Sequence, residues 1–304
     1  MRPYYVDVQV ICYSQSMIEA KFVGIAGDWH GNVSHALLTI EKLDFLDIKY
    51  IFQLGDFGVG GSMLEFAGDK LRTRCNAFLE RNDQFLFITL GNHENYDLVA
   101  KFSVVEDGEF AGFLYEPKAP RILYFQRGQS LQISGRNFLS LGGAASIDYR
   151  WRQEYNAQKN SPGKVWWAQE LISVLDIVKT IDEAKRLGHV DVFLAHDVFA
   201  SAPIKGTHRQ DTKKWNSEEF AFAQTSRDAL EKVARVVLPT LWLHGHYHNR
   251  IETEVELTSP KARKTKKGKF ELLKSTIKTF CFAEDGMKNS AGVLNLETLS
   301  IDYF

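Results

Sequence analysis

The 304-residue chain has 44% hydrophobic and 25% charged side chains, an ordinary globular balance that excludes a disordered or fibrous protein. A formal net charge of −1 excludes global attraction to nucleic acid, so any such affinity has to be local. Cys12, Cys75 and Cys281, odd in number and in no Cys-x-x-Cys spacing, argue against both a disulfide framework and a thiolate metal site.

In chain order, Tyr4–Cys12 is rich in β-branched and aromatic residues and reads as an added strand in an extension over 1–20, with Ser14–Ala20 an undecided connector. The apolar run beginning at Phe22 reads as a buried strand that glycines break where Asp28 and His30 emerge two residues apart. Asn32 is placed to cap a helix, and Leu37, Leu38, Leu43 and Phe45 predict an amphipathic one over Val33–Phe45. Taken alone, Asp28-x-His30 reads more readily as a polar turn, and it gains weight only from similar clusters downstream. A second strand, Ile48–Leu54, ends in Gly55-Asp56-Phe57-Gly58. A helix over Leu64–Asn82 leads to a third strand, Phe85–Leu90, ending in Gly91-Asn92-His93-Glu94. Loop polarity explains one such cluster but hardly three in succession, each flush against a strand end.

The middle of the chain is less regular. Ile122–Phe125, Leu131–Ile133 and Asn137–Leu141 read as short antiparallel strands leading into Gly142-Gly143 and a loop through Arg152. Arg150 or Arg152 could grip a phosphate bidentately, or both could be solvated loop charges. Lys164–Leu187 has a helical pattern, in one helix or two, with Trp166 and Trp167 read as packing residues. Val190–Ala195 predicts a strand ending in His196-Asp197, Ser217–Val236 a helix, and Leu241–Leu243 a strand running into His244-Gly245-His246-Tyr247-His248. With 9 histidines, a His-x-His pair arises by chance about 0.27 times, and with the preceding glycine about 0.02 times, so the tripeptide context is informative. Residues 259–269 are densely basic and open with a proline; a solvated hairpin loop is the first reading, a nucleic-acid contact the second. Gly292–Leu296 and Leu299–Tyr303 read as a closing hairpin. Without repeats or long low-complexity linkers, residues 21–304 are expected to form one domain. No apolar run is long enough for a membrane span and the amino terminus lacks a signal-like start, so a cytoplasmic protein with no membrane partner is expected.

The ordered set Asp28-x-His30, Gly55-Asp56, Gly91-Asn92-His93-Glu94, His196 and Gly245-His246-x-His248 closely resembles the calcineurin-like metallophosphoesterases, from about residue 21 to the carboxyl terminus. Gly142-Gly143, Asp148, Trp166-Trp167 and Glu170 resemble more loosely a small bacterial and phage branch of that family. The resemblance implies an α/β fold, a four-layer α/β/β/α sandwich of two mixed sheets with the site at loops along one edge. It further implies that Asp28, His30, Asp56 and His248 hold one divalent metal ion, that Asp56 bridges, and that Asn92, His196 and His246 complete a second. Manganese, iron or zinc suit such ligands, and the set does not choose among them. Two ions about 3.5–4 Å apart neutralise phosphoryl oxygens and provide hydroxide at neutral pH, so in-line attack by a bridging hydroxide on a phosphomonoester or phosphodiester is the implied reaction. His93 would stabilise charge or protonate the leaving oxygen. Many protein phosphatases of the family carry a second carboxylate soon after the Gly-Asp turn; here Phe57-Gly58-Val59 comes next, and the resemblance to other branches, which have an aspartate in that place, implies that Glu94 orients His93. Asp197 is a candidate to support His196. The alternatives are a metal-dependent nuclease using the 259–269 run and a non-catalytic scaffold of the same fold.

Overall fold

Period-two alternation in the central strands decides the layering. In β2 (Tyr50–Gln53), Tyr50 and Phe52 face one core while Ile51 faces another, and the strand is buried throughout. A strand apolar on both faces needs cover on both. The computed structural model describes residues 18–60, 65–158, 164–204, 214–264 and 270–304. Within it, β1 (Phe22–Ala26), β2 and β3 (Phe85–Ile88) run parallel and are joined through α1 (Val33–Phe45) and α2 (Glu65–Arg81). The sheet continues through β4 (Ser103–Val104), β5 (Leu114–Glu116) and β6 (Ala119–Tyr124), and is closed on its other side by the antiparallel β13 (Ala291–Asn295) and β14 (Ile301–Tyr303). Its order is β14-β13-β1-β2-β3-β6-β5-β4.

The second sheet holds β7 (Gln129–Ile133), β8 (Arg136–Leu141), β9 (Val192–Ala195), β10 (Leu241–His244), β11 (Ile251–Lys264) and β12 (Phe270–Cys281), in the order β11-β12-β10-β9-β8-β7. Val23, Phe52 and Phe87 of one sheet pack against Phe138, Leu194 and Leu243 of the other. Ile40, Leu43, Leu71 and Leu79 cover the outer face of the first sheet; α5 (Val174–Leu187) and α6 (Ser217–Val237) cover the second, burying Ala184, Leu230 and Val233 on Phe193 and Trp242. This is the expected four-layer α/β/β/α sandwich of two mixed sheets.

Several boundaries differ from expectation. β6 pairs in parallel with β3 and antiparallel with β5, not with β7, because the chain crosses between sheets at 125–128. Residues 149–157, expected as loop, form α4 (Tyr149–Ala157). The pattern over 164–187 splits into a 3-10 turn at Ala168–Glu170 and α5, which starts at a capping box between Ser173 and Asp176. Residues 259–264 lie in strand β11 instead of a loop, while 265–269 fall outside the described residues, as does the strand expected at Tyr4–Cys12. Ile18 does reach the core, bridging Ile133.

Candidate metal centre

The parallel strands of both sheets end at one edge, and the loops there are bonded to one another. The Trp29 and His30 amides donate to the Asp56 carbonyl (3.1 and 2.7 Å), and the Gly245 amide to the His196 carbonyl (3.1 Å). Asn32 caps α1 by accepting from the His35 amide. His30, Asp56, His246 and His248 all have positive φ (42°, 53°, 69° and 60°), a conformation that costs a non-glycine residue of order 1–3 kcal/mol and concentrates at functional sites. Glycines permit the close approach. A Cβ on Gly91 would stand 2.2 Å from Asp56 Oδ1, and one on Gly245 2.0 Å from Asp28 Oδ1.

These loops gather the predicted ligands into two groups, Asp28–His30–His248 and Asp56–His196–His246, each with donor atoms within 4.8 Å of one another. His248 Nε2 is 3.4 Å from Asp28 Oδ2, and His30 Nε2 is 3.6 Å from Asp56 Oδ2. On the other side of Asp56 lie His196 Nε2 at 3.3 Å and, 3.0 Å beyond that nitrogen, Asn92 Oδ1. Asn92 is oriented by its amide donating to Ser146 Oγ (2.9 Å), and the Ser146 hydroxyl donates to Glu170 (2.8 Å). Asp28, Asp56, Asn92, His196 and His246 are buried; His30, His93 and His248 are half-buried on the open side.

The donor chemistry calls for a cation. His196 Nδ1 donates to the Leu54 carbonyl (2.8 Å), and its Nε2 faces Asn92 Oδ1 (3.0 Å), His246 Nδ1 (3.1 Å) and Asp56 Oδ2 (3.3 Å), where a proton stands in the metal-free protein and an ion would take its place. Asp56 Oδ2 is buried and accepts no hydrogen bond. Burial disfavours its charge, yet the charged imidazole of His196 beside it holds its carboxyl well below the usual range. Conversely, burial alone would lower His196, but Asp56 and Asp28 raise it to about 9; burial would lower His30 too, but Asp285, Asp56 and Asp28 raise it to about 11. Two protonated imidazoles among carboxylates mark where divalent ions would supply the same charge. The residues present therefore fit two ions.

His93 stands apart from both groups, its amide donating to Asp56 Oδ1 (2.8 Å). Arg152 Nη2 lies 2.6 Å from His93 Nε2, and Arg152 is fixed by Asp148 (2.9 Å). Desolvation, with the Arg152 and His30 charges, pushes His93 down to about 3 against the pull of Asp56, leaving it neutral at pH 7. The two arginines thus separate: buried Arg152 reaches the site, whereas exposed Arg150 pairs with Glu218 of α6. Glu94, expected to orient His93, gives both oxygens to the main chain instead, accepting from Phe57 (2.7 Å), Gly58 (3.2 Å) and Val59 (2.7 Å). Asp197 accepts from Ser226 and Tyr247, tying the His196 loop to α6. Glu284 and Asp285 lie outside the predicted set, yet they meet His248 and His30. Their signal, carboxylates just past a strand end, is present in the sequence, but β12 is too exposed to read as a strand.

The calcineurin-like phosphoesterase family profile matches residues 23–250. No curated protein matches the chain. Among solved structures, TT1561 of Thermus thermophilus is 10% identical, with 93% of this chain and 98% of that one covered at a TM-score of 0.48. A dimetal phosphatase from Danio rerio is 11% identical, with 90% and 92% covered at 0.45. An archaeal phosphodiesterase is 10% identical, with 93% and 98% covered at 0.38.

Proposed function

Because the chain belongs to the calcineurin-like phosphoesterases and is a phosphoester hydrolase, we propose that it works through two divalent ions on a phosphomonoester or phosphodiester. Asp28, His30 and His248 would hold one ion, Asn92, His196 and His246 the other, with Asp56 between them. Manganese, iron or zinc match these imidazole, carboxylate and amide donors. When bound, such ions neutralise phosphoryl oxygens and make hydroxide available at neutral pH. One observation carries the proposal: the buried Asp56 Oδ2 accepts no hydrogen bond and faces His196 Nε2 at 3.3 Å and His30 Nε2 at 3.6 Å.

The remaining residues grip and orient the substrate. Arg152, held by Asp148 and buried but for its contact with His93, presents a guanidinium to a phosphoryl oxygen. His93, neutral at pH 7, offers a ring N–H to developing negative charge. Glu94 holds the loop from Phe57 to Val59, and so fixes where Asp56 points.

The test is turnover of phosphomonoester, phosphodiester and nucleotide substrates by metal-reconstituted protein. Asp56→Asn is expected to lose both activity and metal. His93→Ala should keep metal and lose about 10²–10⁴-fold in kcat. Full activity of the chelator-treated protein, or of Asp56→Asn, would refute the reading.

A further inference from the structure

We propose that Glu284 and Asp285 are positioning residues for one half of the site, setting the tautomer and basicity of His248 and His30 and so strengthening one ion over the other. The inference rests on the dinuclear reading above. Both carboxylates lie just beyond β12, which runs parallel to β10 and so ends at the same edge as His246 and His248. Their loop is anchored at both ends, by the Phe282 amide on the His244 carbonyl (2.9 Å) and the Gly27 amide on the Ser290 carbonyl (2.8 Å).

Asp285 Oδ1 is 3.0 Å from His30 Nδ1, and its Oδ2 accepts from Asn32 Nδ2 (2.7 Å), the cap of α1. Glu284 Oε2 is 3.2 Å from His248 Nδ1. A carboxylate can only accept here, so each Nδ1 carries a hydrogen, which makes Nε2 the nitrogen that would give its lone pair to a bound ion. Those Nε2 atoms face Asp56 Oδ2 and Asp28 Oδ2, at 3.6 and 3.4 Å. The rings meet edge to face with centroids 5.0 Å apart, so neither can rotate without disturbing its neighbour.

The other group is oriented differently. His196 Nδ1 donates to the Leu54 carbonyl and Asn92 to the Ser146 hydroxyl, neutral partners both, with the Glu170 charge one bond further back. A charged partner makes an imidazole a stronger donor than a carbonyl does, so the asymmetry favours the ion held by Asp28, His30 and His248.

The experiment is calorimetric titration of chelator-treated protein with Mn²⁺, for the wild type, Glu284→Ala, Asp285→Ala and the double variant, with Asp285→Asn to separate charge from hydrogen bonding. Both side chains lie at the rim, 36% and 19% exposed, so the metal-free variants should stay folded, with Asp285→Ala melting below the wild type by the loss of its pairing with His30. The wild type should bind in two steps. Each alanine variant should weaken one step by about 10- to 100-fold and leave the other unchanged, with Asp285→Asn between. Equal weakening of both steps, or of neither, overturns the inference while the dinuclear reading stands. A wild type that binds no ion removes both.

Discussion

Glu94 sits fully buried beneath the loop that carries Asp56, accepting from the Phe57, Gly58 and Val59 amides. Glu94→Gln replaces one acceptor with a donor and strands a buried amide, at a cost of about 1–3 kcal/mol. Thermal denaturation should register that loss, and metal titration should show weaker binding because the Asp56 loop relaxes. Undiminished stability and metal with lost turnover would return Glu94 to an orienting role beside His93. Protonation gives a second prediction at this scale. His30 and His196 titrate at about 11 and about 9 in the metal-free protein, above their ordinary 6.5. Raised values mean that the charged imidazoles stabilise the fold fully below pH 6.5, and that this stabilisation is lost as pH rises through 9 toward 11. The melting temperature of chelator-treated protein should therefore fall between about pH 7 and pH 10, and that of the loaded protein much less, because ions replace the protons. Equal pH dependence of the two forms would contradict this. The ligand candidates are legible as single residues because each stands beside a glycine or a strand end. Arg152 is legible only as one of a pair, since nothing in Arg150-Trp151-Arg152 says which arginine turns inward.

Elements are legible where burial is one-sided or complete. α1 spans the expected Val33–Phe45 with Asn32 as its cap, but it buries Ala36, Ile40 and Leu43, while Leu38 and Phe45 of the expected apolar face stand exposed. α4 escapes a reading by pattern because its inward group is an arginine, so no apolar period marks it. The β11–β12 hairpin escapes for a related reason. Its strands are largely exposed, and Pro260 falls at the register shift between Thr258 and Ala262, where a proline costs no ladder bond. β2 is the opposite case, and Phe52 is its test. The ring stacks on Phe138 of the second sheet (4.8 Å, 7°) and on Phe87 of its own (5.2 Å). Phe52→Ala should cost about 3–5 kcal/mol in chemical denaturation. Because Asp56 lies just beyond the end of this strand, metal affinity should fall as well. A loss no larger than that of an exposed aromatic would show that the inter-sheet core does not hold the two halves in register.

At the scale of the whole molecule, the site belongs to neither sheet alone. The first contributes Asp28, His30, Asp56, Asn92 and His93, the second His196, His246 and His248, and bonds such as His196 Nδ1 to the Leu54 carbonyl cross between them. We therefore propose that residues 21–304 unfold as one unit; two separate transitions in calorimetry would oppose that. Among the described residues no helix is long and apolar enough to cross a membrane. The layering is legible only through the family resemblance, since strands ending in ligands point to a shared edge and not to the number of layers, and the true neighbour of β6 is not legible, because pairing partners leave no local mark. The most direct measurement is anomalous diffraction at the manganese edge from crystals grown with Mn²⁺. Two peaks are expected on either side of Asp56, one within reach of His30 and His248 and the other of Asn92 and His196. No peak there in crystals of active protein, or one peak far from Asp56, would contradict the account.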